Sequence, residues 1–332
     1  MWRIDPSAWL APWLSLAVCL VCACAGAGAS AATKPGRIPV ILDTDIGDDI
    51  DDTWALTMLL KSPELDVKLV VGDQGKTHYR AKLIARLLEV AGRTDIPVGV
   101  GAGNAGGSGQ QEDWIKDYDL KAYPGKVHED GVGAIIDALM KSPEPMTLIA
   151  IGPMPNLLEA LKREPRIATK ARFVGMHGSV RRGYGGKSQI DAEYNVRANA
   201  KACQAVFTAP WDITITPLDT CGLVHLRGGK FKAVRDCQDP LVRALVENYR
   251  LWAKKKATEE LGASSTLFDT VAVYLAFADT LCKIETLPIR VTDDGKTVID
   301  ESGGKPMRVA TEWKDMGAFE DLLVERLTGA KP

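Results

Sequence analysis

The chain has 332 residues, of which 46% are hydrophobic and 25% charged, and a formal net charge of −2. These are globular values, compatible with one large α/β domain or two smaller ones. The balanced charge gives no electrostatic case for nucleic-acid binding, and past the leader no run reaches the roughly 20 apolar residues that span a bilayer.

The first 32 residues stand apart. Arg3 precedes an apolar stretch from Trp9 to Ala25 and then the small-residue run AGAGASAA. This is the pattern of a secretory signal cut near Ala29 to Ala32. Residues 1–32 are therefore expected to be a signal peptide, and residues 33–332 one domain that is secreted or periplasmic. An uncleaved anchor is the competing reading. Val21-Cys22-Ala23-Cys24 also resembles a lipoprotein processing site, with Cys24 as the lipidated residue. Cys203, Cys221, Cys237 and Cys282 are widely spaced and show no zinc pattern, which leaves two bridges or free thiols open.

Apolar runs then alternate with helical patterns. Strands are predicted over 38–42, 67–71, 96–100, 146–151, 171–176 and 213–216, and helices over 51–61, 79–91, 131–141, 155–162 and 198–208. This order, with strands apolar along their length, predicts an α/β fold: an open, mostly parallel sheet with helices on both faces. Two longer helices follow at 240–256 and 266–277. The tail reads as a small C-terminal β-ribbon (289–291, 297–299 and 307–310) with a turn at Asp293-Asp294-Gly295, then a last helix at 316–327. The glycine-rich stretches 99–109 and 178–186 are expected to be long loops of the kind that carry function.

Directly after the first strand comes DTDIGDDIDD, which holds Asp43, Asp45, Asp48, Asp49, Asp51 and Asp52. Like charges so close repel strongly, and a bound divalent cation is the simplest offset. Carboxylate oxygens suit hard ions, Ca²⁺ or Mg²⁺. A solvated acidic loop is the plain alternative, although the string follows a buried strand. A phosphatase-type DxD site, in which an aspartate attacks phosphorus, is another; Gly47 stands where that motif expects a threonine.

In an open parallel sheet, ligands bind beyond the carboxyl ends of the strands. The polar residues expected there are the aspartates, then Asp73 after the second strand, Asn156 in IGPMPN, and His177 followed by Glu193-Tyr194-Asn195. Asp269 opens a late helix. Asn156 and Asp269 can equally be read as helix-capping residues, and His128 and His177 as ordinary hydrogen-bonded histidines. The stretch 101–106 fits GxGxxG, yet more loop follows instead of a helix N-terminus, so no dinucleotide site is expected.

Four segments, DTDIGDDIDD at 43–52, IGPMPN at 151–156, AEYN at 192–195 and FDTVA at 268–272, resemble in order the motifs of the nucleoside hydrolases, the inosine/uridine-preferring N-ribohydrolases. The resemblance covers about residues 37–330. It implies one α/β domain that holds Ca²⁺ at the strand ends and hydrolyses the N-glycosidic bond of a ribonucleoside to ribose and free base. Carried over residue by residue, it implies that Asp45 ligates the ion and acts as general base toward water. Asp52, Asp269 and the main-chain carbonyl of Pro155 would be further ligands. Asp51, Asp73, Asn156, Glu193, Asn195 and His128 would contact the substrate.

Attack of water on an oxocarbenium-like state, stabilised by nearby carboxylates, predicts inversion at C1′. Three residues, Asp48-Asp49-Ile50, separate Gly47 from the aspartate pair where the family usually has one. The pair is aligned to Asp51 and Asp52 because the ungapped choice puts Ile50 at a ligand position. Phe268 stands where many members carry a histidine, and Lys187 where they carry an asparagine. Tyr194, Tyr184 and Phe268 offer faces for base stacking. Relatives commonly form dimers or tetramers, which makes a homo-oligomer an expectation. A metal-dependent ribose-binding protein with lost turnover is the alternative reading.

Overall fold

The computed structural model describes Met1 and residues 36–104, 106–255 and 261–330. The leader expected over residues 1–32 lies, Met1 apart, outside the described residues. Ten strands form a single sheet: β1 (Ile38–Thr44), β2 (Leu65–Gly72), β3 (Val98–Gly99), β4 (Val127–His128), β5 (Met146–Ala150), β6 (Ala171–Met176), β7 (Ile213–Thr216), β8 (Cys282–Val291), β9 (Thr297–Ile299) and β10 (Lys305–Trp313). Their order across the sheet is β4-β3-β2-β1-β5-β6-β7-β10-β8-β9. From β4 to β10 the neighbours are parallel, and the β10–β8 and β8–β9 pairs are antiparallel. The expected parallel sheet and terminal ribbon are both present.

β1 is central because both of its faces are buried. Val40 and Leu42 join one core, with Trp54, Leu83 and Tyr274, while Ile41 joins the other, with Ile135, Leu148 and Phe173. Each buried aliphatic side chain of this kind contributes about 1.5–3 kcal/mol. The chain leaves β1 toward β2, β3 and β4 on one side and resumes at β5 on the other. The connections beyond β1 and β5 therefore diverge, which opens a crevice at the carboxyl ends of the strands.

Element boundaries moved where residues lacked room or partners. The strand predicted over 96–100 shrinks to Val98–Gly99, since Pro97 has no N–H to give a ladder. The helix predicted over 266–277 contracts to Thr270–Leu275, which leaves residues 266–269 as a loop into the crevice. A helix at Gly228–Arg235 lies outside the predicted elements, and its two leading glycines are poor helix formers. The four cysteines past the leader are free, and Cys203, Cys221 and Cys282 are buried. No helix among the described residues is long and apolar enough to cross a membrane.

Candidate active site

The end of β1 runs into a turn that requires glycine. Gly47 has φ +112°, and a Cβ there would lie 2.4 Å from the Tyr79 ring. The Tyr79 hydroxyl donates to the Gly47 carbonyl at 2.9 Å. The turn feeds the helix Asp51–Leu60. Trp54 anchors that helix, its ring centroid 6.5 Å from Phe231 and 6.2 Å from Tyr249. Ile50 is fully buried in the core, while Asp51 and Asp52 line the cleft.

Asp269 meets this pair from far along the chain. It sits at the N-terminus of Thr270–Leu275 but makes no capping hydrogen bond. Carboxylate oxygens of Asp51, Asp52 and Asp269 lie within 4.8 Å of one another, and all three residues are buried. Burial, reinforced by mutual repulsion, pushes each well above the usual carboxylate range. Asp51 and Asp269 share a hydrogen bond, and the Thr44 hydroxyl donates to Asp52. An all-oxygen, multiply anionic donor set of this kind fits a hard divalent cation.

Asp45 lines the same cleft without being one of the three. Burial pushes it up to about 6, against the lowering field of Arg80. Asp73 is fully buried behind it and accepts from the Met154 and Gln74 amides at 2.8 and 2.7 Å. Gly152 permits this crowding, since a Cβ there would be 2.8 Å from Asp73 Oδ2 and 3.1 Å from Asp45 Oδ1.

On the far wall, Glu193 caps the helix Tyr194–Ala198. It accepts from the Gly178, Asn195 and Val196 amides at 3.0, 2.7 and 3.2 Å. Burial still raises it to about 7. The Asn195 side chain donates to the carbonyls of Ile151 and Met176 at 3.2 and 3.1 Å. The resulting cleft has a volume of about 510 Å³.

Not every residue singled out in the sequence reaches it. Asp45, Asp51, Asp52, Asp269, Glu193 and Asn195 line the cleft; Asp73, Pro155, Asn156 and His128 do not. The Asn156 amide is committed elsewhere: it donates to Asp43 Oδ1 at 2.6 Å and the Gly72 carbonyl at 3.0 Å, and accepts from the Ala102 amide at 2.5 Å. It therefore ties β1, β2 and the loop after β3 together. Asn156→Ala is expected to cost about 2–3 kcal/mol, read as a lower urea midpoint. A drop in kcat/KM with unchanged stability would instead give it a substrate role. His128 lies in the edge strand β4. His177 is buried against Phe173 and Phe207 and bonded to the Gly152 carbonyl, and burial lowers it to about 4.

Residues 40–321 match the family model described as inosine-uridine preferring nucleoside hydrolase. The chain belongs to that family. It is accordingly an N-glycosyl hydrolase. The pyrimidine-specific ribonucleoside hydrolase RihA of Salmonella arizonae is 29% identical over 314 residues, covering 87% of this chain and 98% of that protein. The non-specific ribonucleoside hydrolase RihC of Escherichia fergusonii is 28% identical over 316 residues, covering 89% and 99%. Among solved structures, the plant nucleoside hydrolase PpNRh1 superposes with a TM-score of 0.74 at 24% identity, covering 89% of this chain and all of that one. A purine-preferring ribonucleoside hydrolase from Gardnerella vaginalis gives 0.71 at 24%, covering 88% and 98%. These superpositions support the fold. A pyrimidine-specific and a non-specific relative lie at nearly equal identity, so likeness alone selects no base.

Within this nucleoside hydrolase, two basic residues escaped the sequence reading. The Arg80 guanidinium is 1% exposed. It donates to the Asp45 carbonyl, to the Ile46 carbonyl at 2.8 Å, to the Gln74 carbonyl at 2.8 Å and to Asp48 Oδ2 at 2.9 Å. Lys76 pairs with the other Asp48 oxygen at 2.6 Å. Burial disfavours the Asp48 charge, but Lys76 and Arg80 more than offset that and hold it below its ordinary value. Asp48 thus braces the extended turn rather than joining the acidic trio. The signal for Arg80 was available: with Leu83, Ile84 and Leu87 it falls on the apolar stripe of the helix Thr77–Val90, where a charge must be paired.

Proposed function

We propose that this enzyme hydrolyses the N-glycosidic bond of a ribonucleoside, releasing ribose and base, with Ca²⁺ as its cofactor and Asp45 as general base. The gathering of Asp51, Asp52 and Asp269 within 4.8 Å at the strand ends carries this reading. Asp52, Asp269 and Asp45 would hold the ion beside Asp51. When bound, the cation would neutralise the clustered carboxylates and polarise water and the vicinal hydroxyls of the ribose.

Asp45 then takes the proton of the attacking water. Burial raises Asp45 in the ion-free protein, and beside a cation its carboxylate would be ionised and free to accept that proton. Glu193 and Asn195 orient the sugar from the opposite wall. The buried acids stabilise the positive charge that develops at C1′. Backside attack predicts inverted ribose.

The leader over residues 1–32 supports export, and the intact mass of the secreted chain would report cleavage near Ala29 to Ala32. Chromatography of free base from uridine and inosine, with added calcium and with a chelator, tests the whole reading. Calcium-dependent release is expected. Absence of base from every ribosyl substrate tried would overturn it.

A further inference from the structure

We propose that the mouth of the cleft selects ribosyl compounds whose aromatic base carries a fixed positive charge, N-ribosyl pyridinium compounds being the simplest; this rests on the hydrolase reading above. Three observations point to it. The first is the grading of the cleft. Its floor is formed by buried acids and Asn195, whereas its outer wall is aromatic: Tyr184, Phe268, Trp252 and Tyr194 all line it. Tyr184 and Phe268 meet edge to face, centroids 6.1 Å apart at 84°. Tyr194 is 45% exposed, an unusual position for so large a ring. Aromatic faces of this kind bind a flat organic cation better than its neutral counterpart.

The second observation is charge. Asp49 lines the lip of the cleft, is exposed, and has no basic partner among the described residues. Asp48 is already matched by Lys76 and Arg80. Four further acidic side chains, Asp45, Asp51, Asp52 and Asp269, line the floor beneath the lip. Arg197 is the single basic residue among the described lining and opposes this field from an exposed position.

The third observation concerns the proton. A neutral nucleobase departs as an anion and needs one delivered to it. Among the described residues lining the cleft there is no histidine, lysine or cysteine. Burial pushes the Tyr184 phenol above its ordinary range, and its oxygen accepts from the Tyr194 amide at 2.9 Å. A pyridinium base needs no donor. Water oxygen bonds to C1′, and the C1′–N bond breaks with its electron pair passing to the ring nitrogen, which cancels the ring charge. The water proton goes to Asp45 and then to solvent. The products are ribose, a neutral pyridine and one proton.

The test compares nicotinamide riboside, uridine, inosine and p-nitrophenyl β-D-ribofuranoside, whose uncharged aglycone leaves without a proton from the enzyme. The kcat/KM for nicotinamide riboside is expected to exceed those for uridine and inosine by about tenfold or more. Asp49→Asn should narrow this preference and Arg197→Gln should widen it. Cleavage of the nitrophenyl riboside alongside uridine or inosine turnover equal to that of nicotinamide riboside would overturn the selectivity while leaving the hydrolase reading intact. Failure to cleave even the nitrophenyl riboside would sink both.

Discussion

Asp45→Asn is expected to lower kcat by about 10²–10⁴-fold while leaving the cation-free protein as stable as the parent or more so. The two effects have opposite signs for one reason. Asp45 is buried among Asp51, Asp52 and Asp269, and its charge raises all three. Asparagine keeps the shape and removes that repulsion. The bonds from Arg80 reach residue 45 through its main-chain carbonyl, so they survive the change. What is lost is the group that accepts a proton from water. Single-turnover base release, paired with thermal unfolding in chelator, measures both signs. Parent-level turnover in the variant would remove Asp45 from the general-base role.

Stripping divalent ions is expected to abolish turnover, and restoring calcium at a hundredfold excess over its Kd to stabilise the fold by about 2.7 kcal/mol. The pH dependence gives this a second signature. The buried acids have folded-state values raised above the ordinary 3.8, to about 6 for Asp45 and well above for Asp51, Asp52 and Asp269. The folded protein therefore binds more protons than the unfolded chain between these limits. Without the ion, stability falls as pH rises from about 4 through 6 and beyond. With calcium bound, the carboxylates are already matched, and the slope should flatten. Asp269→Ala should shrink the calcium response. An unfolding midpoint indifferent to calcium at neutral pH would contradict a cation at this cluster.

Much of this arrangement was legible because hydrophobic runs and acidic spacing speak directly. β6 and β7 lie over the residues predicted, Ala171–Met176 and Ile213–Thr216, since a continuous apolar run between turn residues has few other readings. The choice of Asp51 and Asp52 over Asp49 and Ile50 rested on chemistry, and in the fold Ile50 is buried in the core while the two acids enter the cleft. Asn156 was harder. A polar residue at a helix start gives no sign of whether it points at a ligand or, as here, stitches three strand ends together. The burial of Arg80 is legible from its place on an apolar stripe, but its partners are not, being mostly carbonyls. β3 and β4, two residues each, are too short for any periodicity to register.

Asp269 lies more than two hundred positions after the two acids it joins. A nascent chain therefore has no complete acidic trio until most of it has emerged, and a fragment ending before Asp269 can never have one. Contacts of such span tend to form late, after the barrier to folding has been crossed. Calcium should then slow unfolding far more than it hastens folding, so that ambient ion concentration governs the lifetime of the finished enzyme rather than the pace of its assembly.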